Sequence, residues 1–159
     1  MVVLKKWLCL LLCSVFAYSP WLMAQTEGVS PSIKYAVPDR EKSYLARLDL
    51  HSAAEVEQML RRAEIFVEKL DEYPDFEPIT VILHGPELRV FDRRNYKEYK
   101  EIVGLAARLE AFNIIRVQVC EVQMRQDGIL QSDLPAFVET VPYGPAEKSR
   151  LLKQGYQYF

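Results

Sequence analysis

Apolar residues recur along this chain in two alternating rhythms, and the alternation predicts most of the fold. From Tyr44 to Leu50, Tyr44, Ala46, Leu48 and Leu50 fall on one face while Arg47 and Asp49 fall on the other, the period-two signature of a strand. Ser52-Ala-Ala-Glu55 then reads as a capping box, and Val56, Met59, Leu60, Ala63, Phe66, Val67 and Leu70 follow at helical spacing, which predicts a helix from about Ala53 to Glu72. Pro74 and Pro78 interrupt the pattern. Ile79 to Leu83 is a continuous apolar run, as expected of a strand covered on both faces in a parallel sheet.

The same pair of rhythms repeats. Asn95, with Glu98 three residues on, predicts the start of a second helix whose buried stripe is Tyr99, Ile102, Val103, Ala106 and Leu109, and Asn113 can close it in a left-handed conformation. Ile115, Val117 and Val119 share one face of the next strand, and Arg116, Gln118 and Cys120 the other. A short helix from Glu121 to Asp127 follows, with Gly128 as its stop. Ser132-Asp-Leu-Pro135 is turn chemistry, Val138 to Val141 a fourth strand, and Gly144-Pro145 opens a last helix that Gly155 ends. Tyr156 to Phe159 can form a short final strand. Strands alternating with helices of this length predict an α/β domain with a mostly parallel sheet of about five strands, in three layers, helix, sheet, helix.

The N-terminal stretch has a different character. Lys5 and Lys6 precede an apolar run from Trp7 to Tyr18, and Leu22-Met23-Ala24 precedes Gln25, the pattern of a secretory signal peptide cleaved after Ala24. The run is shorter than the roughly 20 apolar residues of a conventional transmembrane helix, so no stable membrane insertion is expected after cleavage, an uncleaved anchor being the alternative. Residues 25–42, with Pro31, Pro38 and Gly28, read as an extended arm, although Ile33, Tyr35 and Val37 alternate; residues 43–159 form the folded domain. Removal of 24 residues from 159 leaves 135, enough for one domain with its own core. The loss of Lys5 and Lys6 leaves 18 basic against 22 acidic residues, a net charge of −4, which gives nucleic acid no electrostatic footprint.

Export changes the meaning of the cysteines. Cys9 and Cys13 leave with the signal, so the periplasmic protein keeps Cys120 alone and forms no internal disulfide. Cys120 falls just before a helix N-terminus, where free N–H groups and the helix dipole stabilise a nearby anion, a thiolate included. Arg116 and Arg125 add positive charge and Glu121 subtracts some. In open α/β sheets the ligand crevice lies beyond the carboxyl ends of the strands, and both His84 and Cys120 follow or close such ends. If their strands are neighbours, imidazole and thiol can face one pocket. His84-Gly85-Pro86-Glu87 also resembles an oxyanion-type His-Gly turn, weakened because Pro86 removes a donor. His51, beside Ser52, reads as a helix-entry residue. His51, His84 and Cys120 are too few and too scattered for a metal signature, and no nucleotide loop, G-x-S-x-G or C-x-x-C is present.

The ordered set Val81-Ile-Leu-His-Gly85, the helix ending near Asn113, Ile115 to Gly128, Leu134-Pro135, Val138-Glu-Thr-Val-Pro142 and the closing Leu151 to Tyr158 with Gly155-Tyr156 resembles the DsrE family, whose members include sulfur-oxidation and tRNA-thiolation relay proteins. The resemblance covers about Tyr44 to Phe159. It implies a three-layer α/β/α fold with a five-stranded sheet, and homo- or hetero-oligomers such as trimers and hexamers. In relay members a cysteine at the position of Cys120 accepts a sulfane sulfur as a persulfide. The resulting candidate site has Cys120 as acceptor and His84, Gly85, Glu121 and Arg125 as substrate contacts, with no metal and no cofactor. A sulfur donor or acceptor is then the partner beside further copies of the chain. Two other readings stay open: an interaction module in which Cys120 packs at an interface, and a Cys/His metal site.

Overall fold

A computed structural model describes residues 42–69 and 76–159. The proposed cleavage point and nearly all of the arm therefore lie outside the described residues, as do Leu70 and the last residues of the first predicted helix. No described helix is long and apolar enough to cross a membrane.

Five strands, β1 (Tyr44–Leu45), β2 (Ile79–Leu83), β3 (Ile115–Cys120), β4 (Glu139–Val141) and β5 (Gln157–Tyr158), pair in the order β4-β3-β2-β1-β5. Every pairing is parallel. Parallel neighbours need crossovers, here α1 (Ala53–Glu68), α2 (Tyr96–Ala111), α3 (Glu121–Asp127) and α4 (Gly144–Lys153). The steps from β1 to β4 all march one way across the sheet, and only the last step returns past β1 to β5. Right-handed crossovers place helices on one face for one direction of travel and on the opposite face for the other. The core divides accordingly. Residues of α1, α2 and α3 bury Val56, Leu60, Phe66, Ile102, Leu105 and Met124 against Ile79, Val81, Leu83, Ile115, Val117 and Val119. Among the described residues the opposite face has a small cluster of Leu45, Ile82 and Leu151, with Leu152 and Tyr156 beside it, under α4.

The first strand is shorter than its alternation predicts. Beyond Leu45 the ladder keeps only the Ala46 N–H to Thr80 carbonyl bond, at 2.8 Å. The reason is local competition: the Glu55 carboxylate accepts from the N–H of Asp49 at 2.7 Å and of Leu50 at 2.8 Å, pulling the chain into a turn before the helix. Leu50 ends up 79% exposed. Half of the predicted capping box forms, since Ser52 Oγ accepts from Glu55 N at 3.2 Å while Glu55 serves residues further back. Asn95 likewise sits at the start of α2 without capping it, because its side-chain amide donates to the Arg89 carbonyl at 3.0 Å.

The segment between β2 and α2 has no predicted element, yet it is core. Pro86–Phe91 forms a 3₁₀ helix with Leu88, Val90 and Phe91 buried, and Phe91 meets Phe137 edge-on at 6.2 Å. The predicted stops hold: Asn113 and Gly128 both adopt positive φ, 55° and 64°.

Candidate functional site

Side-chain alternation sends Ile82 and Cys120 to the α4 face, and Leu83 pairs with Val119 in the parallel register. One residue further, His84 and Cys120 stand side by side at the carboxyl ends of neighbouring strands, where the spacing is about 4.8 Å. The first turn of α4 closes over them. A Cβ at Gly144 would lie 2.7 Å from His84 Cβ, 3.2 Å from Cys120 Cβ and 3.2 Å from Ile82 Cγ2. Glycine is what permits that approach. The consequence is burial: Cys120 is 2% exposed.

The His84 ring turns to a different partner. Its centroid lies 4.5 Å from that of His51, with planes at 62°. His51 follows β1, on the far side of β2 from Cys120, and its backbone is left-handed with φ 49°. Glu87, whose side chain is 0% exposed, packs beside both histidines. Its Oε1 accepts from the N–H groups of His84 at 2.9 Å and Gly85 at 3.0 Å, so the donors of the His-Gly turn are already engaged by a carboxylate and form no oxyanion hole. The same oxygen lies 3.1 Å from His51 Nδ1. That contact lacks hydrogen-bond alignment, and both His51 Nδ1 and Glu87 Oε2 are buried with no hydrogen-bond partner. Gly85 is tightly enclosed, since a Cβ there would fall 2.6 Å from Glu87 Oε2 and 2.9 Å from His51 Cγ.

Burial lowers the pKa of His84 below its usual 6.5, the neighbouring His51 lowers it further, Glu87 opposes the shift, and Lys148 on α4 adds to it. His84 is thus a neutral imidazole at neutral pH, an acceptor or weak donor in place of a cation.

The remaining candidates go elsewhere. Arg125 Nη1 lies 3.8 Å from Glu121 Oε2 one turn back on α3, and Glu121 Oε1 accepts from Thr140 Oγ1 at 3.2 Å. Thr140 is the register partner of Val119, so this pair belongs to the sheet face opposite Cys120. Arg116 does share the face of Cys120 but turns to Glu77, at 3.9 Å, in a polar groove of about 270 Å³ between the sheet and α4 that Thr80, Gln118, Glu147 and Arg150 also line. Tyr156 donates to Glu77 there, and burial together with that bond pushes its pKa up to about 12. Among the described residues no group of three or more His, Cys, Asp or Glu side chains is arranged to hold a metal ion.

The sequence places Cys120 and His84 at the ends of their strands, as the structure has them, and gives no part to Glu87 or to the contact of His51 with His84. A signal existed for the second: the chain has two histidines, and each directly follows a predicted strand, so a parallel sheet puts both at its carboxyl edge.

No protein-family model matches the chain, and no curated protein matches it. Among solved structures it is similar to a protein of unknown function, MTH1491 from Methanobacterium thermoautotrophicum, at a TM-score of 0.59 and 18% identity, over 74% of this chain and 97% of that one. The likeness extends to the compact α/β fold.

Proposed function

We propose that this domain handles sulfane sulfur, with Cys120 as the acceptor. The observation that supports it best is the convergence of Cys120 and His84 at the carboxyl ends of adjacent strands, under the first turn of α4, where α/β sheets hold their ligands. The chemistry is redox-neutral. The Cys120 thiolate attacks the outer sulfur of a persulfide or polysulfide, a new S–S bond forms on Cys120, the donor's S–S bond breaks, and the electron pair leaves with the donor thiolate. Burial of the thiol sets a condition: the turn at Gly144 must lift before a donor can reach Sγ. The resemblance to the DsrE family, the export signal and the periplasmic location belong to the same proposal and rest on the sequence.

Burial also favours a second reading, in which Cys120 is a packing residue and the domain is an oligomeric interaction module. Both readings include association of copies. Tyr96, Tyr143, Phe112 and Leu130 are large apolar side chains more than half exposed, and among the described residues α4 is the one helix over the Leu45 and Ile82 face of the sheet. Incubation of the folded protein with inorganic polysulfide, followed by intact mass, separates the two. The sulfur reading expects a persulfide adduct that Cys120→Ser removes; an unmodified native protein supports packing. Light scattering tests association, and a monomer at micromolar concentration would count against it.

A further inference from the structure

The buried carboxylate beside the two histidines needs a role. A side chain with no exposed surface and one oxygen without a partner carries a substantial desolvation cost. A left-handed, non-glycine residue beside it stores backbone strain. Two such costs, placed together at the carboxyl edge of the sheet around the end of β2, next to the strand that carries Cys120, point to a function rather than to packing.

We propose that His84 is the proton acceptor for a low-molecular-weight thiol that enters at this edge of the sheet, once the turn at Gly144 lifts, to take sulfur from Cys120, and that His51 and Glu87 position its ring. The inference rests on the sulfur reading above and names the acceptor class for it. Geometry supports the division of labour. Transfer from a Cys120 persulfide places three sulfurs roughly in line, with S–S bonds of about 2.05 Å, so a thiol that approaches from the β2 side passes the end of that strand, where His84 stands one strand spacing from Cys120 with its ring toward His51. His51 lies one strand further. His84 takes the proton of R–SH; the thiolate attacks the outer sulfur of Cys120–S–SH; the S–S bond of the persulfide breaks, and Cys120 Sγ leaves with the electron pair and recovers the proton from His84. The products are R–S–SH and Cys120–SH, and no oxidant or reductant is required.

The groups that face His84 are His51 after β1, Glu87 from the 3₁₀ helix, Lys148 from α4 and Cys120 from β3. Their charges give the positioning pair opposite signatures. Removal of the Glu87 charge withdraws what opposes the shift, so Glu87→Gln moves the His84 midpoint further down. His51→Asn, which keeps a residue tolerant of left-handed backbone, moves it up.

The test starts from wild-type protein loaded with inorganic polysulfide and follows sulfur transfer to mercaptoethanol across pH. Loading is measured first by intact mass; a Cys120 that does not load overturns the sulfur reading, and the acceptor assignment with it. In loaded protein, His84→Gln should lower the transfer rate about 100-fold or more below the pKa of mercaptoethanol, and the deficit should vanish above it, where the acceptor is already a thiolate. A deficit independent of pH overturns the inference and leaves the sulfur reading standing. If His84→Gln does not fold, the wild-type profile decides: it must contain a titration that coincides with the NMR midpoint of His84, and a profile that follows the acceptor's ionisation alone overturns the inference.

Discussion

Gly144 and Cys120 are in contact across the α4–sheet boundary, close enough that a Cβ on the glycine would stand 3.2 Å from Cys120 Cβ and 2.7 Å from His84 Cβ. The cap over the thiol is therefore a backbone cap, and its fit depends on the absence of one carbon.

Gly144→Ala tests this directly. The new methyl group must displace either the β2 end or the first turn of α4, and overpacking of this kind costs about 1–3 kcal/mol. The expected result is a lower denaturation midpoint together with faster alkylation of Cys120 in the folded state. An alanine variant of wild-type stability and unchanged thiol reactivity would show that α4 does not seal the site.

The strand and helix rhythm was legible because it is set by burial, and the parallel sheet buries both faces of Ile79–Leu83 and one face of Ile115–Cys120. What the rhythm could not show was competition for backbone donors. Glu55 shortens β1 by claiming the N–H groups of Asp49 and Leu50, and Glu87 fills the turn at His84 and Gly85. Both are carboxylates acting on nearby backbone, an interaction with no periodicity. The pairing of His84 with Cys120 followed from the topology, whereas the ring orientation toward His51 depended on a left-handed residue that no pattern in the sequence marks. Glu121 and Arg125 sat at the right distance in sequence and on the wrong side of the sheet.

The 3₁₀ segment from Pro86 to Phe91 carries a stability prediction. Phe91 is almost fully buried and meets Phe137, so Phe91→Ala should cost about 3–5 kcal/mol, a large share of the roughly 5–15 kcal/mol of a typical domain. A loss under 1 kcal/mol by urea denaturation would remove this segment from the core.

Acid should weaken the fold through His84. Its folded pKa lies below the unfolded value of 6.5, mainly because of burial. The unfolded chain therefore binds a proton first as pH falls, and stability declines below about pH 6.5 until the folded imidazole also protonates. His84→Gln should flatten that part of the stability profile. A melting temperature as acid-sensitive in the variant as in the wild type between pH 7 and 5.5 would assign the effect to other groups.

The central claim is that Cys120, though covered, is chemically reachable in the folded protein. Labelling of the native protein with iodoacetamide, read by intact mass at increasing low concentrations of urea, addresses it most directly. The account predicts modification of Cys120 at a rate that is nearly independent of urea well below the unfolding transition, because lifting one turn of α4 exposes little surface. A rate that rises with the full denaturant dependence of global unfolding, or a thiol labelled only after unfolding, would contradict it and make Cys120 a packing residue.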